Sequence, residues 1–153
     1  MILSRYSIQQ STIQGAGKGL FLQERVKKGS IMVVPDAINR ILTLDELNTY
    51  PKDSLEQDSS VRWFENYYTV NLEWTDECYI NHSFDCNGIW HLGFIFAARD
   101  IEAGEEMTID YRFIIPEGEA MPFLDGASGQ PIIGYSWKEI MAKSMEQVQR
   151  ALF

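Results

Sequence analysis

Residues Asn81-His82-Ser83-Phe84-Asp85-Cys86-Asn87 put two Asn, a His, a Ser and an Asp into seven positions, between Tyr79-Ile80 and Gly88-Ile89-Trp90. An ordinary loop needs fewer polar side chains than that. A second stretch, Gly104-Glu105-Glu106-Met107-Thr108-Ile109-Asp110-Tyr111, ends a strand-like run on Asp-Tyr. The two segments are expected to form one active site. By residue type alone, the first offers a catalytic His-Asp-Cys set.

The chain around them has the pattern of many short strands. Residues 3–14 carry Tyr6, Ile8 and Ile13 among Ser, Thr and Gln, which suits a strand. In Gly15-Ala16-Gly17-Lys18-Gly19-Leu20-Phe21, glycines at alternate positions free the backbone for positive φ and for close approach of another molecule. A glycine-rich turn between two strands would use the same residues. No long helical pattern follows, which excludes Rossmann and P-loop readings. Leu20 to Val34 suits strand, turn and strand, with the turn at Lys28-Gly29-Ser30. Thr43-Leu44-Asp45-Glu46 fits a capping box for a short helix that stops before Pro51. Residues 51–60 suit an exposed loop, and Arg62 to Leu72 suits strands. Trp90 to Ala98 has the pattern of one further strand buried on both faces, and Met107 to Tyr111 of a short one. Residues 116–131, with Gly118, Pro122, Gly126, Gly129 and Pro131, suit a loop. Ser136 to Glu139 is a second capping box. Trp137, Ile140, Met141, Ser144, Met145, Val148 and Leu152 then predict an amphipathic helix over about 137–151, its Met and Trp stripe in the core. The sum is a mainly β fold with α additions.

Composition narrows the function. A chain of 153 residues is long enough for one domain with a real core. It has no apolar run near the roughly 18 residues of a membrane span and no signal-peptide pattern at its start. The expected location is cytoplasmic, or nuclear in a eukaryote. Cys78 and Cys86 are too few for a four-cysteine zinc site and are expected to be free thiols. A net charge of −9 argues against nucleic acid and suits a basic partner. From Trp63 to Ala98 there is no Lys or Arg, yet Glu65, Glu73, Asp76, Glu77 and Asp85 are there, with ten of the 19 aromatic residues. Such a zone can receive a cationic group through charge and ring faces. A core of aromatic strands with an acidic outer edge has the same composition.

Three motifs, taken in order, resemble the SET domain, the fold of one large class of protein lysine methyltransferases. Gly17-Lys18-Gly19-Leu20-Phe21 is similar to the family's opening glycine motif, and Asn81 to Asn87 to its Asn-His-Ser-Cys-x-Pro-Asn motif. Phe96 to Tyr111 is similar to its closing segment almost throughout, and the resemblance covers about residues 13–113. It implies a SET-domain (β-clip) fold of small twisted sheets, in which the segment near Tyr111 threads past the one near Asn81 as a pseudoknot. Residues 1–115 would be the SET domain, with loop and helix 116–153 in the same globular unit. It also implies S-adenosylmethionine on one face and a lysine entering from the other through an aromatic channel. Gly17, Lys18, Gly19 and Leu20 would meet the methionine part of the donor. Asn81 would bind its amino group, and the His82 backbone its adenine edge. Tyr111 matches the catalytic tyrosine. Tyr68 matches a channel-lining tyrosine, with Tyr67 the alternative one register away. Asn87 would hold the loop, and Glu105 and Asp110 would be structural hydrogen-bond partners.

The departures are as definite. Phe84 and Cys86 stand where Cys and Pro are usual, and Cys78 where Arg is common. No cysteine-rich tail follows Tyr111, so no zinc is expected, and the tail must close the site by other means; Phe123 or Trp137 would cover the adenine, or the tail would be a packing element only. The expected function is a protein-lysine N-methyltransferase acting on a basic protein or peptide, of which a histone is one option, with no nucleic acid or membrane as partner. The alternative is a catalytically inactive SET-like module that binds a basic segment. A Cys86/His82 thiol hydrolase is a third reading, without an evident orienting group.

Overall fold

The computed structural model describes every residue except Ala37. In chain order its strands are β1 (Tyr6–Gln10), β2 (Lys18–Leu22), β3 (Ile31–Val33), β4 (Ile41–Thr43), β5 (Val61–Phe64), β6 (Tyr67–Thr69), β7 (Asn81–His82), β8 (Gly88–His91), β9 (Phe94–Ala97), β10 (Thr108–Ile109), β11 (Ala120–Leu124) and β12 (Pro131–Ile133). The α-helices are α1 (Leu44–Leu47), α2 (Leu55–Asp58) and α3 (Trp137–Leu152), and short 3-10 turns stand at Asp76–Tyr79 and Tyr111–Phe113. The sheets are small: β1-β2, β3-β9-β8, β4-β6-β5, β11-β12, and the two-residue pair of β7 with β10.

That last pair fixes the architecture. β7 and β10 run parallel, with Thr108 opposite Asn81 and Ile109 opposite His82. The closing segment therefore crosses the polar loop as the pseudoknot requires. Gly88 makes the crossing possible, because a Cβ there would lie 2.8 Å from the Thr108 carbonyl oxygen. Beneath the crossing lies the main core, with Leu20, Leu22, Met32, Ala97, Ile101, Met107 and Ile140 fully buried. A second, smaller core gathers Leu42, Leu47, Tyr68 and Val70 between α1 and the β4-β6-β5 sheet.

Both capping boxes form, Thr43 with Glu46 and Ser136 with Glu139. Several expectations need correction. The single strand over 90–98 is a hairpin, turned at Leu92 (φ 51°) and Gly93 (φ 87°). Two successive positive φ values suit the tight turns that join antiparallel strands. The apolar alternation runs on through the turn and hides it; beyond it Ile95 and Ala97, not Phe94 and Phe96, face inward. The loop over 51–60 contains α2, capped by Ser54, whose hydroxyl accepts from the Gln57 N–H. The loop over 116–131 contains most of the β11-β12 hairpin, whose two prolines sit within two-stranded edges where a missing N–H is tolerated. In α3 only Ile140 and Ser144 of the seven predicted stripe residues are fully inside. Ile140, Ser144 and Ala151 are buried against β8 and β9, while Met145 is 57% exposed. The underlying sheet has only three strands, and it covers a narrower strip than the sequence stripe offers.

Candidate active site

The site is built on two buried polar side chains that bind the knot. Asn87 is 3% exposed and its amide serves the passing segment twice. Its Nδ2 donates to the Glu106 carbonyl at 2.8 Å, and its Oδ1 accepts from the Thr108 N–H at 3.0 Å. Glu106, also buried, turns its carboxylate the other way. It accepts from Ser11 Oγ (2.7 Å), Thr12 N (2.8 Å), Thr12 Oγ1 (2.7 Å) and Asn81 Nδ2 (2.9 Å). Burial alone would raise its pKa, but these donors overcome that and hold it below the usual carboxylate value. Gly19 is required here by packing: a Cβ would fall 2.1 Å from Glu106 Oε1.

Asn81 takes its orientation from this carboxylate. Its Nδ2 also donates to the Lys18 carbonyl at 2.9 Å. Both acceptors lack a proton to give, so the amide cannot be reversed. No described residue donates to its Oδ1, which is left as a free acceptor beside a buried negative charge.

His82 is nearly enclosed between Phe84 (ring centroids 4.8 Å) and Tyr111 (5.4 Å). Its Nδ1 accepts from the Tyr111 N–H at 3.0 Å. The neutral ring therefore carries its proton on Nε2. Burial lowers the His82 pKa, against the pull of the Asp110 and Asp125 charges, so the neutral ring is the form to consider near pH 7.

Tyr111 begins a 3-10 turn capped by Asp110, whose carboxylate accepts from the Arg112 N–H at 3.0 Å. Arg112 also pairs with Asp110 through its side chain and stacks over the rings of Phe84 (4.1 Å) and Tyr135 (4.7 Å). Thus braced, the Tyr111 hydroxyl donates to the Ile80 carbonyl at 2.7 Å. Burial, with Cys78 nearby, pushes its pKa up to about 12, so the hydroxyl is protonated at neutral pH. The Cys86 thiol is likewise pushed up to about 11 by burial. A protonated thiol is a poor nucleophile, which removes the thiol-hydrolase reading.

A groove of about 1120 Å³ brings Asn81, His82 and Tyr111 to one surface, with Cys78, Trp74 and Phe123 along it. The other sequence-predicted residues stand elsewhere. On the glycine side the groove wall is Ile13–Ala16. Gly17 keeps a positive φ of 73° with open space where a Cβ would be, Lys18 offers only its carbonyl to Asn81, and Leu20 is 0% exposed in the main core. Tyr68 is 1% exposed in the second core, and Tyr67 stacks on Phe64; neither lines the groove. On β6 the side chain that faces the core is that of Tyr68, and Thr69, Val70 and Asn71 reach the groove instead. Of the two expected covers, Phe123 sits at the groove, 6.4 Å from Tyr111 between ring centroids, while Trp137 packs against the main core. Glu105, expected as a partner, bonds Arg99 on the surface. Its neighbour Glu106 and the tail residue Asp125 are the site carboxylates that the sequence did not single out. For Glu106 the only hint was the Ser11-Thr12 pair, about 95 residues away. Among the described residues, no group of three or more His, Cys, Asp or Glu could hold a metal ion.

Comparison with known proteins agrees with this architecture. The SET domain family profile matches residues 17–112. The chain belongs to the SET domain family. No curated protein sequence matches it. Among solved structures it resembles ctPRC2 in an autoinhibited conformation bound to S-adenosylmethionine, with TM-score 0.57 and 17% identity over 95% of this chain. The chain spans 22% of the length of that one.

Proposed function

We propose that the chain moves a methyl group from S-adenosylmethionine to the side-chain amine of a lysine in a protein substrate. The carrying observation is the Tyr111 hydroxyl, fixed on the Ile80 carbonyl at the groove beside Asn81 and His82. The donor supplies a methyl on a cationic sulfonium when bound. The chain's residues suit such a ligand. Asn81 Oδ1 is free to accept from an α-ammonium, and the buried Glu106 charge behind it favours a cation there. Ile13–Ala16 and the His82 backbone would flank the rest.

On the acceptor side, the Tyr111 hydroxyl and the Ile80 carbonyl would orient the amine and the methyl, the latter through weak CH···O contacts. A lysine amine loses its proton more easily in a desolvated channel next to a positive charge. At pKa about 12 the tyrosine acts by orientation rather than as a base. The groove edge suits a basic segment: Asp36 and Glu77 already pair with one ammonium, that of Met1, at 2.9 Å each.

The test is transfer of tritiated methyl from S-adenosylmethionine to a basic-peptide array. Tyr111→Phe should lower turnover by about 100-fold, roughly 2.7 kcal/mol of barrier, with donor affinity little changed. Full activity in that variant would remove the assigned role. An inert module that binds a basic segment predicts peptide binding without turnover in the unmodified protein.

A further inference from the structure

Asp125 is the only charged residue between Ala120 and Ile133, and it is 2% exposed. Its Oδ2 shapes the hairpin tip, accepting from Ser128 N at 2.7 Å and Ser128 Oγ at 2.6 Å. Its Oδ1 reaches off the hairpin to the knot. There it accepts from the Phe84 N–H at 3.1 Å and faces His82 Nε2 at 3.5 Å. The Nε2 is buried and has no hydrogen-bond partner among the described residues. Because Nδ1 is occupied by the Tyr111 N–H, the neutral ring carries its proton on Nε2, the nitrogen nearest the Asp125 carboxylate.

The same tip touches the opposite wall. A Cβ on Gly126 would meet Ile13 Cγ2 at 2.9 Å. The hairpin therefore spans from the wall at residues 12–14 to the knot at His82 and Ser83, with a pocket of about 270 Å³ beneath it. Its Phe123 carries the span on to Tyr111.

We propose that Asp125 is a positioning residue for methyl-donor binding, latching the 120–133 hairpin to His82 as a lid over the donor end of the groove. This rests on the donor-binding reading above. At 3.5 Å the latch is short of a hydrogen bond. A closure of about 0.6 Å would bring it to the usual N–H···O distance of about 2.9 Å. That step turns a buried unpaired donor into a charge-assisted bond. A ligand that fills the space below and a latch that closes above would therefore favour each other.

Calorimetry with S-adenosylhomocysteine and nitrogen-15 NMR of the His82 ring test this on the full chain. Asp125→Ala should weaken binding about tenfold. Asp125→Asn keeps shape and an acceptor for Phe84 but gives up the Ser128 N–H acceptor and the charge that faces His82, and should weaken it about threefold to fivefold while staying folded by circular dichroism. Ser128→Ala leaves Oδ1 in place and should stay within about twofold. In the unmodified protein the ligand should move the Nε2–H resonance downfield, and in Asp125→Asn, whose amide oxygen is a weaker acceptor, it should move it by less. A merely structural role would lower the melting temperature of the Asn variant and leave that shift intact. Unchanged affinity in Asp125→Asn, or an unmoved Nε2–H resonance in the unmodified protein, overturns the latch. Absence of any binding by the unmodified protein overturns the donor reading, and the latch with it.

Discussion

The knot and the C-terminal hairpin close the same groove in opposite ways. In the knot, Asn87 is buried with two partners on the passing segment, Glu106 and Thr108, and the Glu106 carboxylate with donors from Ser11, Thr12 and Asn81, distant parts of the chain. A buried network with its partners in place admits one arrangement, because any other leaves polar groups unpaired. The hairpin shows Phe123, Leu124 and Ile133 to solvent, buries only Ile132 and Asp125, and meets the knot through the Asp125 carboxylate on the Phe84 N–H and the Phe123 ring beside Tyr111. Segments with few buried contacts lie at the low end of local stability. The difference assigns the parts: a rigid floor that sets Asn81 and Tyr111, and an adjustable roof that a ligand can draw closed.

The sharpest way to break this comparison is Glu106→Ala. It strips an acceptor from Ser11, Thr12 and Asn81 together and leaves buried donors unpaired. The expected cost is about 3 kcal/mol. That corresponds to a melting temperature lower by about 6–12 °C. Ser128→Ala, inside the roof, should cost under about 1 kcal/mol by the same measurement. If Glu106→Ala melts no lower than Ser128→Ala, the floor is not the rigid partner.

Acid should tell the two apart by a smaller effect. The native pKa values of His82 and His91 are lowered by burial, so the unfolded chain binds more protons. Their contribution is complete at high pH and is lost as pH falls through the unfolded value of about 6.5. Glu106 and Asp125 are also held low in the native state. What they contribute is present above the unfolded carboxylate value of about 4 and disappears only below it. Urea midpoints should therefore be flat between about pH 7 and pH 8, fall gently towards pH 5 and fall again below about pH 4. A midpoint that rises from pH 7 to pH 5 would contradict the neutral, buried His82.

What was legible in the sequence follows the same division. Capping boxes, glycine turns and the polar motif are local signals, since the residues that satisfy one another lie close together or form a recognisable set. That is why α1, α3 and the knot could be placed. Glu106 could not be told from Glu105, because the choice depends on Ser11 and Thr12, brought up by the β1-β2 hairpin. The Leu92-Gly93 turn was masked by an apolar alternation that happens to continue through it. The 120–133 segment has the glycine and proline content of a loop; its strands pair with each other and are anchored by buried Ile132, by Phe123 against Tyr111 and by Asp125, which no periodicity marks. Of these departures the 120–133 hairpin forms the roof of the site, where adjustability matters more than specification, while Glu106 lies in its floor.

The finest test concerns Tyr68, because there the resemblance and the structure disagree. The motif match makes it a channel tyrosine whose hydroxyl meets the substrate amine. The structure buries it against Leu42, Leu47 and Val70, behind the wall of the groove that holds Tyr111 rather than in its lining. Tyr68→Phe preserves the ring and so the packing of the second core. If the structure decides, turnover and peptide KM should both stay within about twofold of the unmodified protein, with a change in stability below about 1 kcal/mol. If the hydroxyl touches substrate, its loss should appear in kcat without a matching loss of stability. A loss of tenfold or more in kcat, with an unchanged melting temperature, would require β6 to turn over when substrate binds and would make the second core part of the adjustable region.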